Sequence, residues 1–260
     1  MERGKRIAVV TGASSGLGRC FVRRIQDMED VEEIWVIARR GNRLRELEKQ
    51  GKLPIRVLPM DLTETSSFPY FQKLLSEAKP NLRILINCAG FGKIGSYRDI
   101  SDSDCMDMID LNCRAAVMMT RLCLPWMESG AQILEICSTS AFQPFPYLNI
   151  YAASKAFLLR YSRALRWELK GRGIHVTAVC PYWIKDTEFI PGAKETRNGQ
   201  AIRHFPLASK SERVVNRALR DNRAGLAVST PGPICFLHRI AAKFIPHSIM
   251  MALWEGIRKI

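Results

Sequence analysis

Tyr151 and Lys155 stand four residues apart in the run Tyr151-Ala152-Ala153-Ser154-Lys155. On a helix that spacing puts both side chains on one face, about one turn from each other. An ammonium near a phenol favours the phenolate and pulls the tyrosine below its reference pKa of about 10. A tyrosine tuned this way can exchange a proton with an alcohol or a ketone near neutral pH. A surface lysine beside a half-buried tyrosine has the same spacing, so the chemistry depends on what the chain places next to the pair.

A second set of residues could hold a dinucleotide. Thr11-Gly12-Ala13-Ser14-Ser15-Gly16-Leu17-Gly18 follows an apolar run and precedes a helical pattern. Gly12, Gly16 and Gly18 let the backbone turn sharply and approach a pyrophosphate, with Ser14, Ser15 and Leu17 beside it at the helix N-terminus. The spacing is G-x-x-x-G-x-G, so it meets the commoner G-x-G-x-x-G pattern only in principle. About twenty residues further on, an acid would select NAD by bonding its ribose 2′-hydroxyl. This chain has Ala38-Arg39-Arg40 there. Guanidiniums at Arg39 and Arg40 suit a 2′-phosphate, so NADP is the expected cofactor. Asp61 and Leu62 close a third strand, where Asp61 can accept from an adenine amino group or cap the next helix. Asn87-Cys88-Ala89-Gly90 closes a fourth, with Asn87, Ala89 and Gly90 where a ribose would pass.

The elements that must position these residues alternate. Apolar, β-branched runs at 6–10, 33–38, 55–60, 83–87, 132–137, 174–180 and 225–229 read as strands. Helical patterns fall at 16–28, 42–50, 68–78, 102–127 and 151–170. Such alternation implies βαβ units: an α/β, doubly wound Rossmann fold with a mostly parallel, seven-stranded sheet and helices on both faces. No Pro/Gly/Ser linker divides the chain, so 1–260 is expected to be one domain. An irregular, polar stretch over about 187–211 is a candidate substrate lid.

Composition narrows the class. A chain of 260 residues with 47% apolar residues suits one sizeable core. No run approaches the ~18 apolar residues of a membrane span. The start at Met1-Glu2-Arg3 resembles a signal peptide only faintly, because the apolar run ends at Thr11-Gly12; a mature cytoplasmic start is expected. Eight scattered cysteines without a C-x-x-C pair argue for buried thiols in a reducing compartment and against a metal site. The net charge of +14 is concentrated late: residues 191–260 hold twelve Lys/Arg against four Asp/Glu. Nucleic acid, anionic membrane and anionic cofactor or substrate are the candidates for that excess, beside plain solvated charge; with the motifs taken together, nucleic acid is not an expected partner.

The glycine pattern, Asn87-Cys88-Ala89-Gly90 and Tyr151-x-x-x-Lys155 occur in the order found in the short-chain dehydrogenase/reductase family, and the chain resembles its single-domain form over nearly all its length. The resemblance implies a serine thirteen residues before the tyrosine, which is Ser138, and an asparagine on the long helix, which is Asn112. It implies that Ser138 donates to the substrate oxygen, Tyr151 acts as acid or base, Lys155 tunes it and bonds the nicotinamide ribose, and Asn112 holds a relaying water. Pro181, Ile184 and Thr187 would contact the nicotinamide end. Here Tyr182 replaces the family's usual glycine, and Thr187 lies one residue late. Pro-Tyr at this place resembles the hydroxysteroid dehydrogenase and 3-oxoacyl reductase branch. A homodimer or homotetramer through helices 102–127 and 151–170 is also implied.

Phe91, Ser140, Phe142, Phe145, Tyr147, Trp183 and Phe189 flank the active elements, which favours an apolar small-molecule substrate, steroid-like or long-chain 3-oxoacyl. The segment 233–260 carries an apolar stripe among basic residues and is split by Pro246. It could lie on an anionic bilayer, cover the pocket or meet a second subunit, and the break at Pro246 favours packing. The expected function is NADP(H)-dependent interconversion of a secondary alcohol and a ketone. The alternative is a nucleotide-sensing or membrane-surface protein on the same fold, against which Ser138, Tyr151 and Lys155 argue.

Overall fold

A strand that is apolar along its whole length must be covered on both faces. The computed structural model, which describes residues 4–28 and 30–258, covers them so. Among these residues seven strands form one parallel sheet in the order β3-β2-β1-β4-β5-β6-β7. They are β1 (Arg6–Thr11), β2 (Glu33–Ala38), β3 (Ile55–Pro59), β4 (Asn81–Asn87), β5 (Gln132–Ile136), β6 (His175–Val179) and β7 (Val228–Ser229). Alternate residues of β1 feed separate cores. Ile7 and Val9 join Phe71 and Met119 on one face; Ala8 and Val10 join Phe21, Leu44 and Val215 on the other. The helices doing this covering are α1 (Gly16–Ile25), α2 (Gly41–Gln50), α3 (Ser67–Ala78), α5 (Ala116–Cys123), α6 (Asn149–Glu168) and α8 (Ser211–Arg223), while α4 (Asp102–Ile109) packs against α6.

Strand order reverses between β1 and β4, which neighbour each other in the sheet. A crevice opens beyond the carboxyl ends of strands at such a point, and the loops after β1, β2, β4, β5 and β6 all reach it.

Three expectations need correction. The helix over 102–127 is interrupted: α4 passes into a π-helical turn at Asp110–Ala115, then α5, then a 3₁₀ turn at Leu124–Trp126. The wide turn adds a residue and buries Asn112 at 1% exposure. The stretch expected to be irregular contains the short helix α7 (Phe189–Ala193), and α8 follows it. Strand seven is two residues long, because Gly225 turns with φ +68° and only Ala178 and Val179 take partners from it. Pro246 does split the C-terminal segment, into α9 (Pro233–Phe244) and α10 (His247–Ile257). The chain start at 1–3 and the last two residues, 259–260, lie outside the described residues.

Candidate active site

The crevice is a cleft of about 780 Å³. Its floor at one end is the loop between β1 and α1. Gly12 takes φ +67°, and a Cβ on it would sit 2.8 Å from the Ala89 backbone, so only glycine lets the β1 and β4 loops touch. Ser15 caps α1 in extended geometry, and the helix's first turn carries no acid. Its free amides and dipole therefore suit an anion.

Arg40 reaches back over this loop. Its guanidinium donates to Ser14 Oγ at 3.2 and 3.3 Å and to Ser15 Oγ at 2.8 Å. Its third nitrogen pairs with Glu188 at 2.7 Å, and Arg43 pairs with the same carboxylate. The two arginines hold that carboxylate below the usual range. Arg39 behaves differently. It is 73% exposed and lies 3.8 Å from Asp61. Asp61 is further occupied by the Thr63 amide and hydroxyl at 2.9 and 2.7 Å.

The chemical end is formed by β5, α6 and the loop after β6. Ser138 accepts a bond from the Ser140 amide at 3.1 Å. It lines the cleft with Tyr151, and its hydroxyl acts to lower the phenol's pKa. Tyr151 is 8% exposed, and burial raises its pKa well above that of a free phenol, with the nearby Ser138 hydroxyl opposing. This reverses the expectation from spacing alone. Lys155 Nζ lies 5.8 Å from the Tyr151 ring centre and donates to Ile136 O at 2.8 Å. Burial lowers its own pKa. Desolvation is the largest cause at both groups.

Asn112 is locked from both sides. Its Oδ1 accepts from the Phe91 amide at 3.1 Å, and its Nδ2 donates to Phe91 O and Ser154 Oγ at 2.9 and 3.0 Å. A Cβ on Gly90 would lie 2.6 Å from Asn112 Oδ1 and 3.2 Å from Lys155 Nζ, so that glycine lets the two polar groups converge.

Of the residues read from sequence, Gly12, Ser14, Ser15, Gly16, Leu17, Gly18, Arg39, Arg40, Asp61, Leu62, Ala89, Gly90, Ser138, Tyr151, Lys155, Pro181, Ile184 and Thr187 all line this one cleft. Thr187 Cβ lies 3.4 Å from where a Cβ on Gly16 would be. Asn87 does not face the cleft. It is buried below, where its Nδ2 donates to Ala116 O, Thr120 Oγ1 and Glu135 Oε1 at 3.2, 2.8 and 3.0 Å. Glu135 is fully buried on β5, and desolvation raises its pKa to about 7 against the bonds from Asn87 and Thr120. Of the expected pocket aromatics, Phe91, Phe145, Trp183 and Phe189 line the cleft; Phe142 and Tyr147 do not.

Sequence reading missed Arg43, Glu135, Glu188 and Trp254. Arg43 and Glu188 are 145 residues apart and meet only in the fold. Trp254 comes from α10, donates to Pro146 O at 3.1 Å and stacks edge-on against Phe145 at 5.0 Å. All eight cysteines are free thiols.

Comparison with known proteins gives a consistent picture. The family described as short chain dehydrogenase matches residues 6–198. A sulfoacetaldehyde reductase of Chromohalobacter salexigens is 32% identical over 189 residues, covering 69% of this chain and 72% of that one. The NADP-dependent 3-hydroxy acid dehydrogenase YdfG of Escherichia coli is 32% identical over 186 residues, covering 70% and 74%. A short-chain dehydrogenase from Sphingobium yanoikuyae, solved in complex with NADPH, superposes with a TM-score of 0.77 at 26% identity and covers 98% of this chain and 97% of that one.

Proposed function

The chain belongs to the short-chain dehydrogenase/reductase family, and from that premise we propose that it uses NADP(H) to interconvert a secondary alcohol and a ketone on an apolar substrate. The observation that carries this reading is one cleft with two ends. A guanidinium lies on two serines at a helix N-terminus at one end, and a buried phenol lines the other together with Ser138 and Lys155.

The residues fit the cofactor. Arg40, with Ser14 and Ser15, is placed for a 2′-phosphate, and Arg39 adds charge from solvent. Gly12, Gly16, Leu17 and Gly18 offer backbone to a pyrophosphate. Asp61 and Leu62 would flank the adenine, Ala89 and Gly90 the ribose, and Pro181, Ile184 and Thr187 the nicotinamide end. The cofactor supplies the hydride when bound.

The protein's own work is proton management. Tyr151 remains protonated through neutral pH and hands its proton to the carbonyl oxygen in reduction. Ser138 donates to the same oxygen and fixes its position. Lys155, when protonated, sets a positive charge at the base of the site that favours the phenolate left behind. Asn112 serves as a positioning residue. By clamping both backbone groups of Phe91 it sets the β4 loop against Lys155.

The walls favour a bulky apolar substrate, steroid-like or long-chain 3-oxoacyl. Phe145, Trp183, Phe189 and Trp254 line the cleft with large apolar side chains. An acidic substrate, such as the names of the two relatives indicate for those proteins, would have Lys93 to meet. Lys93 lines the cleft, but its ammonium already lies 3.9 Å from both Asp104 and Glu195. The segment about 187–211 is read as the lid of a single-domain enzyme. Exposed Met106, Ile109, Phe157 and Trp167 on α4 and α6 support a homodimer or homotetramer through those helices.

The test is NADPH oxidation with bulky, acyl and acidic ketones, comparing wild type with Tyr151→Phe. Loss of a positioned general acid costs about 10²–10⁴-fold in rate. NADPH affinity should be unchanged. Equal rates would remove Tyr151 from the chemistry.

A further inference from the structure

An exposed helix face is normally polar, and α8 obeys the rule: Glu212, Arg213, Asn216, Arg217 and Arg220 face solvent while Val214, Val215, Ala218 and Leu219 are buried. The two C-terminal helices break it. On α9, Phe236, Ile240 and Phe244 recur every four residues at 53, 41 and 73% exposure, with Leu237 beside them at 64%. On α10, Ile249, Leu253 and Ile257 repeat the spacing at 51, 57 and 56%. Seven of the fifteen exposed large hydrophobic residues described in the chain fall in these two helices.

These stripes are held outward by packing on the opposite faces. Cys235 is buried, and His238 bonds Gln143 at 2.8 Å with its ring edge-on to Phe142 and Phe145. Trp254 is tied to Pro146, and the Arg258 guanidinium sits 3.8 Å over the Tyr147 ring. Both helices are thus pinned to the segment between Ser138 and Tyr151, and their inner faces are already satisfied.

We propose that α9 and α10 lie flat on an anionic bilayer, apolar stripes down. Three features select that occupant. The helices of twelve and eleven residues are only about 18 and 17 Å long, too short for a hydrocarbon core of about 30 Å. No described helix is long and apolar enough to cross a membrane. Such a pair suits the interfacial plane, where an amphipathic helix buries one face among headgroups and acyl chains. Charge supplies the sign: Arg258 pairs with Glu255 at 2.6 Å on the inner side, so Arg239 and Lys243 are the cations that 233–258 adds beside the stripes. Lys243 Nζ lies 5.5 Å from the Phe244 ring centre, so cation and apolar anchor share one edge. A second copy packed face to face would oppose its own Arg239 and Lys243, whereas anionic headgroups neutralise them.

The location has a consequence that rests on the oxidoreductase reading. Leu253 belongs to the stripe, and its neighbour Trp254 is a wall of the cleft. An apolar ketone dissolved in the bilayer would then enter beside Trp254 without crossing water.

The experiment is co-sedimentation with phosphatidylcholine vesicles, with and without about 30% phosphatidylglycerol, for wild type and the double variant Phe244→Glu/Leu253→Glu. The account expects at least about tenfold tighter binding to anionic vesicles, weakened by salt, and its loss in the variant. Thermal melting and NADPH binding of the variant should match wild type, which separates lost docking from lost fold. Wild type left in the supernatant with anionic vesicles would overturn the proposal. So would a variant that binds vesicles normally but sediments by ultracentrifugation as a smaller oligomer, which assigns the face to a second copy. Vesicle binding reads docking without turnover, so it stands or falls apart from the reaction. Equal rates of wild type and variant on a vesicle-borne ketone would overturn the delivery route alone.

Discussion

The two ends of the cleft are built by different means. The cofactor end uses backbone, short polar side chains and one guanidinium, all placed by the turns after β1, β2 and β4. The substrate end uses large side chains that arrive from the segments after β5 and β6 and from α10. Recognition through backbone needs particular residue types at particular offsets, such as a glycine where φ is positive. Recognition through apolar walls needs only volume, which many residues at many positions can supply.

That contrast can be sharpened by substitution. The largest effect is expected at the cofactor end. Arg40→Ala removes two serine contacts and the guanidinium proposed for the 2′-phosphate, and should cost about 10–100-fold in NADPH affinity, with NADH affinity nearly unchanged. Arg39→Ala should cost only a few fold, because Arg39 is exposed and screened. Equal losses from the two arginines, read by cofactor titration, would erase the distinction drawn between them. At the substrate end Trp254→Ala should raise KM for a bulky ketone by about tenfold while NADPH affinity stays put. A matching loss of NADPH affinity would mean that the two ends are not separable.

The smallest expected effect lies under the cleft. Glu135 is buried with its Oε2 unpartnered, and its pKa is raised to about 7. The folded state therefore binds a proton that the unfolded carboxyl, near its ordinary value, has released. Stability from this group is fully present below the unfolded pKa of about 4.5 and declines as pH rises through about 7. Glu135→Gln keeps the bonds to Asn87 and Thr120, so it should raise the Tm by a few degrees at pH 8 and by little at pH 5. A Tm gain independent of pH would show that Glu135 is not the titrating group.

The same contrast explains what could be read from sequence. The strands β1 to β6 are mostly apolar and β-branched, and burial on both faces is the reason, so they were legible. The glycine turn and Arg40 were legible because chain direction alone brings the ends of β1 and β2 together. The π-helical turn was not, because one extra residue leaves the apolar period of 102–127 nearly intact on either side. The helix α8 had a signal, the pairs Val214–Val215 and Ala218–Leu219, diluted by its many charges. Asn87 occupies the expected place, but the side to which a strand-end residue points depends on register, and Thr120 and Glu135 draw it into the core. Glu188 and Trp254 could not be found locally, since their partners lie 145 or more and 108 residues away. The phenol's direction of shift depends on burial, which the Tyr-Lys spacing does not report.

That direction is the most exposed part of the account. The rate of NADPH-driven ketone reduction by wild type should be measured across pH 6 to 10, beside the reverse oxidation. A buried, protonated Tyr151 predicts reduction that is level through neutral pH and falls only in the alkaline range, with oxidation rising where reduction falls. Reduction that declines with a midpoint near pH 7 would mean that the phenol titrates early, and would contradict the acid assigned to Tyr151.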